Sequence, residues 1–179
     1  MSYFSPVVAQ RGLNSAYDPT IQYAASAYGV SPALIKAIIS AESAWDPNAA
    51  SSSSVGLMQI NYTAHGVSRE TALDPSWNIT YGTSVIAGQL NRRPSVDLAL
   101  AGYNAGTGRS DADLQSRIDQ NTLGVGNYVA TVLDYYAWFL TNDPASAIPG
   151  GGGVYQPFPG RPVPASFARL VGLGHRQQP

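Results

Sequence analysis

Four times in the first hundred residues a polar side chain stands beside a proline at the head of an apolar pattern with helical spacing: Asp18-Pro19, Ser31-Pro32, Asp74-Pro75 and Pro94-Ser95. A short oxygen-bearing side chain can accept an unpaired N–H at a helix start. Proline in the first turn lacks only a hydrogen the helix does not use there. Behind these signals run Ile21, Ala24, Ala25 and Tyr28, stopped by Gly29, and then Leu34, Ile35, Ile38 and Ile39. Next come Trp77, Tyr81, Val85, Ile86 and Leu90, and after them Leu98 and Leu100 toward Tyr103, closed by Gly106 to Gly108. A last helix is expected from near Asn127, with Tyr128, Val132, Tyr135 and Phe139 in one stripe and Val129, Leu133, Tyr136 and Leu140 beside it. No segment sustains the alternation of a strand, so a mainly α fold is expected.

Finer expectations follow from the same pattern. Asp18 and Asp74 read as caps, Asp46 before Pro47 shapes a loop, and positions 44 to 55, with four consecutive serines from Ser51, form that loop. Gly82 and Gly88 lie inside the third helix. A glycine there costs about 1 kcal/mol relative to alanine, which predicts close approach by a neighbouring helix or by substrate at both.

The 179 residues fit one domain with an appendage. The expected folded unit is 17–142, after an irregular lead-in over 1–16. From Asp143 the chain changes character: its last 37 residues hold seven of thirteen prolines and seven of eighteen glycines, including Gly150 to Gly153. That composition builds no core of its own, so the segment is either flexible or ordered on a partner through Phe158, Phe167, Leu170 and Leu173. A net charge of −1 and a pI near 6.0 give no signature of nucleic-acid binding. The chain has no cysteine and only two histidines, His65 and His175, which offers no thiolate or zinc-ligand set. No cofactor or metal is expected. No apolar run approaches the ~18 residues of a membrane span, and no export leader is visible, so delivery to an envelope substrate would need another machine or a leader already removed.

Glu42, one of two glutamates, follows Leu34 and Ile38 at i, i+4, i+8, which sets its carboxyl on the apolar face in the last turn of the second helix. Desolvation and the helix C-terminus both act to raise its pKa. Periodicity alone also fits a surface glutamate at a frayed helix end.

The surrounding strings are more specific. They are Glu42-Ser43-x-x-x-Pro47-x-Ala49, Gly56-Leu57-Met58-Gln59, Asn78-Ile79-x-x-Gly82, Ala99-Leu100-Ala101-Gly102-Tyr103-Asn104-Ala105-Gly106 and Tyr128-Val129. In this order, over residues 18–141, the chain resembles the family 1 lytic transglycosylases, whose soluble-lytic-transglycosylase-like domains share a lysozyme-like fold with goose-type lysozymes. The resemblance implies cleavage of the β-1,4 bond between N-acetylmuramic acid and N-acetylglucosamine in peptidoglycan glycan strands, with formation of 1,6-anhydro-muramic ends. It implies Glu42 as the sole catalytic carboxylate, with Ser43, Met58, Gln59, Tyr103, Asn104 and Tyr128 along the cleft.

Read as side chains, Gln59 and Asn104 offer donors and acceptors to sugar groups, and Tyr103, Tyr62 or Trp45 offer faces for stacking. By residue type alone Met58 reads rather as a core filler shaping the cleft floor, and Trp45 and Trp77 as core. Two departures from the family pattern stand out. Ile60-Asn61-Tyr62-Thr63-Ala64 lacks the usual proline, altering a loop, and Gly102 replaces the more usual alanine, which is expected to widen the cleft. Rival readings are a hydrolytic muramidase using Asp97 or Asp111 to activate water, and a silent structural component. The expected setting is a bacteriophage particle acting on the host periplasm or cell wall, with the tail held by a virion or envelope-spanning assembly protein. A bacterial periplasmic enzyme is the alternative.

Overall fold

Each proline-marked start opens a helix, and the helices pack around the second of them. The computed structural model describes residues 15–143 and Ser146. After a 3-10 turn at Ser15–Tyr17 come α1 (Asp18–Tyr28), α2 (Pro32–Ser43), a two-residue strand β1 (Ser54–Val55), β2 (Ile60–Asn61), and α3 (Arg69–Leu73). Then follow α4 (Pro75–Arg92), α5 (Val96–Ala105), α6 (Asp111–Asp119), a 3-10 turn at Thr122–Gly124, and α7 (Val125–Asn142). The expectations for the proline- and glycine-rich tail and for residues 1–14 lie outside the described residues. No described helix is long and apolar enough by itself to cross a membrane.

α2 is the centre of the core. Every residue from Pro32 to Ile39 is buried, and its most extensive contact is with α7, whose Val125, Val129, Val132, Leu133, Tyr136 and Phe139 are buried. α1 lies on α4, and α5 lies between α4 and α7. A helix buried all round has no polar face to solvate, so the charge of Lys36, 3% exposed, needs internal partners. It has Asp18 from α1 and Asp143 from the end of α7, each 2.6 Å from Nζ. Asp143 also accepts from the Ser146 hydroxyl. This triad joins the first and last described helices through the central one.

It also corrects one expectation. Asp74 caps α4, accepting from Trp77 N at 2.7 Å. Asp18, by contrast, caps nothing: α1 starts at Asp18 itself, behind the 3-10 turn, and the carboxylate serves Lys36. Ser95 and Ser110 cap α5 and α6 through Leu98 N and Asp113 N.

The stripe Trp77, Tyr81, Val85 on α4 is only half-buried, and the face that enters the core is Asn78, Ile79, Gly82, Thr83, Ile86 and Gln89. Gly82 meets the expected close approach, although from a side chain: a Cβ there would lie 2.6 Å from Met58 Sδ. At Gly88 nothing lies within 4 Å of an added Cβ, so no neighbouring helix makes the expected approach there. Gly102 is corrected as well. An added Cβ would stand 2.4 Å from Gln89 Oε1, so the glycine makes room for a buried glutamine between α4 and α5 rather than widening a cleft.

Candidate active site

α2 ends one residue after Glu42, and the chain leaves it by an abrupt route. Ala44 and Trp45 both take positive φ, 50° and 70°. For residues with a Cβ this conformation costs about 1 kcal/mol or more each, a cost that surrounding contacts must offset. Those contacts are visible. Ser43 Oγ donates to Ile39 O and accepts from Trp45 N at 3.2 Å, and the Trp45 indole donates to Ser40 Oγ at 2.9 Å. Trp45, 6% exposed, lies between Tyr17 and Phe139 in the core and has no face free for a sugar. Asp46 closes the turn by accepting from Asn48 N.

The chain then returns as the antiparallel pair β1–β2, joined by Gly56-Leu57-Met58-Gln59. Buried Asn78 holds this connection with all its hydrogen-bonding groups: Oδ1 accepts from Met58 N at 2.7 Å, while Nδ2 donates to Val55 O and Ala72 O. Gly56, at φ 80°, lies so close that a Cβ would meet Asn78 Nδ2 at 2.4 Å. Met58 is fully buried against Gly82, and its carbonyl accepts from the Tyr103 hydroxyl at 2.9 Å. Met58–Gly82 and Gly56–Asn78 are thus steric pairs, and Tyr103 ties α5 to the same loop. Gln59 also has positive φ, 48°. Its Nε2 donates to Ala49 O and Gly56 O, which leaves the side-chain oxygen as the atom able to accept from a ligand.

These elements enclose a cavity of about 600 Å3. Glu42, Gln59, Tyr103 and Asn104 line it, together with the Ala105–Thr107 turn. Ser43, Met58 and Tyr128 stand behind that lining. Ser43 staples the end of α2, Met58 fills the floor, and the buried Tyr128 hydroxyl engages Glu42. The lining also includes Ser51, Ser54, Asn61, Ala64, His65 and Val85, which the motif reading did not single out. Three of these sit in or beside the stretch where the chain departs from the family pattern, so that departure was the available signal.

Burial pushes the Glu42 carboxyl up from 4.5 to about 7, against the opposing effect of the Tyr128 hydrogen bond. Desolvation, and then the charge of Glu42, hold the Tyr103 and Tyr128 hydroxyls well above their ordinary value, so both remain protonated donors. Among the lining residues Glu42 is the single carboxylate. Asp111 is ion-paired with Arg93 at 2.6 Å, and Asp97 sits in the first turn of α5 with its carboxyl raised by burial; neither lines the cavity. Arg93 also donates to Thr107 O, which fixes the turn on that side of the cavity. The chemical capacity of this arrangement is one proton given and taken by one carboxyl group, near neutral pH, beside neutral hydrogen-bonding groups.

The family described as Transglycosylase SLT domain matches residues 19–123. A protein named Transglycosylase, from Enterobacteria phage PRD1, is 32% identical over 94 residues, covering 51% of this chain and 36% of that protein's length. The chain therefore spans only part of that relative. The match takes in α1 through α6, the Glu42 turn, the Gly-Leu-Met-Gln loop and the Tyr103-Asn104 helix end. On this extent, more than half of the chain, the protein belongs to the transglycosylase SLT domain family, with its lysozyme-like helical fold.

Proposed function

We propose that the protein is a peptidoglycan lytic transglycosylase and that Glu42 is its sole catalytic group. Protonated Glu42 gives its proton to the glycosidic oxygen between N-acetylmuramic acid and N-acetylglucosamine as the C1–O bond breaks. The 2-acetamido oxygen of the muramic residue stabilises the cationic C1. Ionised Glu42 then takes the proton of the C6 hydroxyl of that same sugar, and O6 bonds to C1, closing the 1,6-anhydro ring and returning the proton to Glu42. No water is consumed, and the ring closes fast because its nucleophile is already in place.

The observation that supports this best is the solitary carboxyl at about 7. A two-carboxylate hydrolysis needs a second carboxylate to hold a water or attack C1, and the cavity lining offers none. Tyr128 orients the Glu42 carboxyl, and Gln59 Oε1 and Asn104 bind acetamido and hydroxyl groups. Ser43 and Met58 act by shaping the turn and floor on which those groups stand.

Mass analysis of peptidoglycan digests tests the reading. Anhydro-muramic ends, one water lighter than reducing ends, are expected, and reducing ends alone would transfer the assignment to a muramidase. Replacement of Glu42 by Gln should abolish release of muropeptides.

The setting we infer is a phage particle that opens the host wall locally, in keeping with the phage source of the relative. In this reading the catalytic unit is 17–142 together with Asp143 and Ser146, which complete the Lys36 cluster, and the chain beyond them to residue 179 engages a structural protein. The packing of α7 on α2, beyond the end of the family match, supports that inner boundary. Purified particles in which mass spectrometry finds no trace of this polypeptide would refute the placement.

A further inference from the structure

The cavity has a second chemically distinct group. Of the side chains that line it, His65 is the one able to carry positive charge; no lysine or arginine shares the lining. Nor is it a loosely attached ring. The loop that bears it winds on Asn61, whose carbonyl accepts from His65 N and whose side-chain oxygen accepts from Ala64 N and the Thr63 hydroxyl. The imidazole stands edge-on to Tyr81 at 5.2 Å, with Nδ1 3.0 Å from the Tyr81 hydroxyl. Tyr81 is itself stacked on Trp77 at 4.5 Å. The half-buried α4 stripe is therefore a backing for His65: Trp77 and Tyr81 pack against the edge of the core on one side and support the imidazole on the other. With Nδ1 engaged, Nε2 is the ring nitrogen left for a ligand.

The glycan backbone offers this nitrogen only neutral hydroxyl and acetamido groups. Negative charge in peptidoglycan resides on the stem peptide, attached through the lactyl ether of the muramic sugar. We propose that His65 is a specificity residue that receives a carboxylate of the stem peptide on Nε2–H, with Tyr81 as its positioning residue. The proposal rests on the reading of this cavity as a peptidoglycan site and adds what that reading lacks, a preference for strands that carry peptides.

The test compares glycan strands bearing stem peptides with the same strands stripped by an amidase, the lactyl carboxylate freed by that hydrolysis being capped as a methylamide so that the stripped strand is neutral. A charge-assisted hydrogen bond to a carboxylate carries roughly tenfold or more in affinity. Wild-type protein should favour peptide-bearing strands in kcat/KM, and His65→Ala should reduce that preference by about tenfold, chiefly through KM. His65→Gln, which keeps a donor, should retain part of the preference, and Tyr81→Phe should lose part of it. Equal loss on both substrates, or an unchanged preference, overturns the proposal. A readout without turnover uses the Glu42→Gln protein: the His65 imidazole resonances should shift on adding a soluble peptide-bearing muropeptide and not on adding the stripped, capped saccharide. Identical responses to the two ligands would likewise overturn it. A wild-type protein that cleaves neither substrate, with the resonance shift intact, would instead remove the transglycosylase reading.

Discussion

Glu42→Gln should make the protein more stable above neutral pH while destroying its activity. Burial holds the Glu42 carboxyl at about 7 in the folded protein against 4.5 as its ordinary value. Because the folded pKa is the higher one, the folded state keeps the proton longer. The associated stability is fully present below about pH 4.5 and is lost as pH rises through about 7. At 1.36 kcal/mol per pH unit the whole effect is roughly 3 kcal/mol, of which about 2 kcal/mol falls between about pH 5.5 and about pH 8.5. Glutamine is nearly the same shape and does not titrate, so the variant should lack this dependence.

Urea denaturation of both proteins at the two pH values gives a double difference from which every other titrating group cancels. Among those are Asp97 and Asp134, whose carboxyls burial also raises. The variant's advantage over wild type should grow by about 2 kcal/mol on going to the higher pH. A gap that moved by less than ~0.5 kcal/mol would mean that Glu42 is solvated as an ordinary carboxylate, and the account of its acidity would be wrong. The same titration should appear in catalysis: kcat/KM should fall about tenfold per pH unit above about 7, as the acid form is depleted.

Other predictions follow from single contacts. Gly82→Ala forces a Cβ to 2.6 Å from Met58 Sδ and should cost about 1–3 kcal/mol, whereas Gly88→Ala, with open space around it, should add about 0.5–1 kcal/mol; thermal melts of the pair check both signs. Lys36→Met removes the ammonium that Asp18 and Asp143 share and should cost about 3–5 kcal/mol in urea denaturation, a loss that a surface ion pair would not produce. Asn104→Lys introduces a cation into the cavity lining and should lower the Glu42 pKa by about 1 or more, read by NMR titration of a labelled carboxyl; an unmoved titration would place Asn104 too far away to sense the acid.

Helices with a start signal and a regular stripe were legible in the sequence. α6 was not: its mean hydropathy pattern carries one buried residue, Leu114, so no stripe announces it. α3 and the two-residue strands are equally silent, because five residues hold barely one helical turn and two cannot show alternation. The α4 stripe misled only in part, and for a different reason. Ile86 of that stripe is fully buried, and Trp77, Tyr81 and Leu90 pack half-buried against the core, but the rest of the core side of α4 is Ile79 with Asn78, Gly82, Thr83 and Gln89, mostly polar or small residues whose burial depends on partners distant in sequence. Met58, Asn78 and Tyr103 form such a set across three elements, visible beforehand only as separate motifs. The placement of Glu42 on the apolar line through Leu34 and Ile38 was legible, whereas the His65–Tyr81 pair required the fold.

The two ionisable side chains on α2 show how one core treats charge in opposite ways. Lys36, in the helix middle, has two carboxylates at 2.6 Å, and that pairing ties three parts of the fold together. Glu42, at the helix end, has two tyrosine hydroxyls nearby and no lysine or arginine in the cavity it lines. An arginine or lysine there would stabilise the fold by pairing the anion, and by the same free energy would make the proton too easily lost to serve as an acid. The acid is therefore maintained by omission, and the omission costs stability at neutral pH. So does the positive φ of Ala44, Trp45 and Gln59, which turn the chain sharply enough to bring Glu42 and the Gln59 loop to the same cavity. What offsets both costs is the burial of α2 against α7. A helix anchored that deeply can end in an unpaired acid and a strained turn without fraying, and a helix on the surface could not.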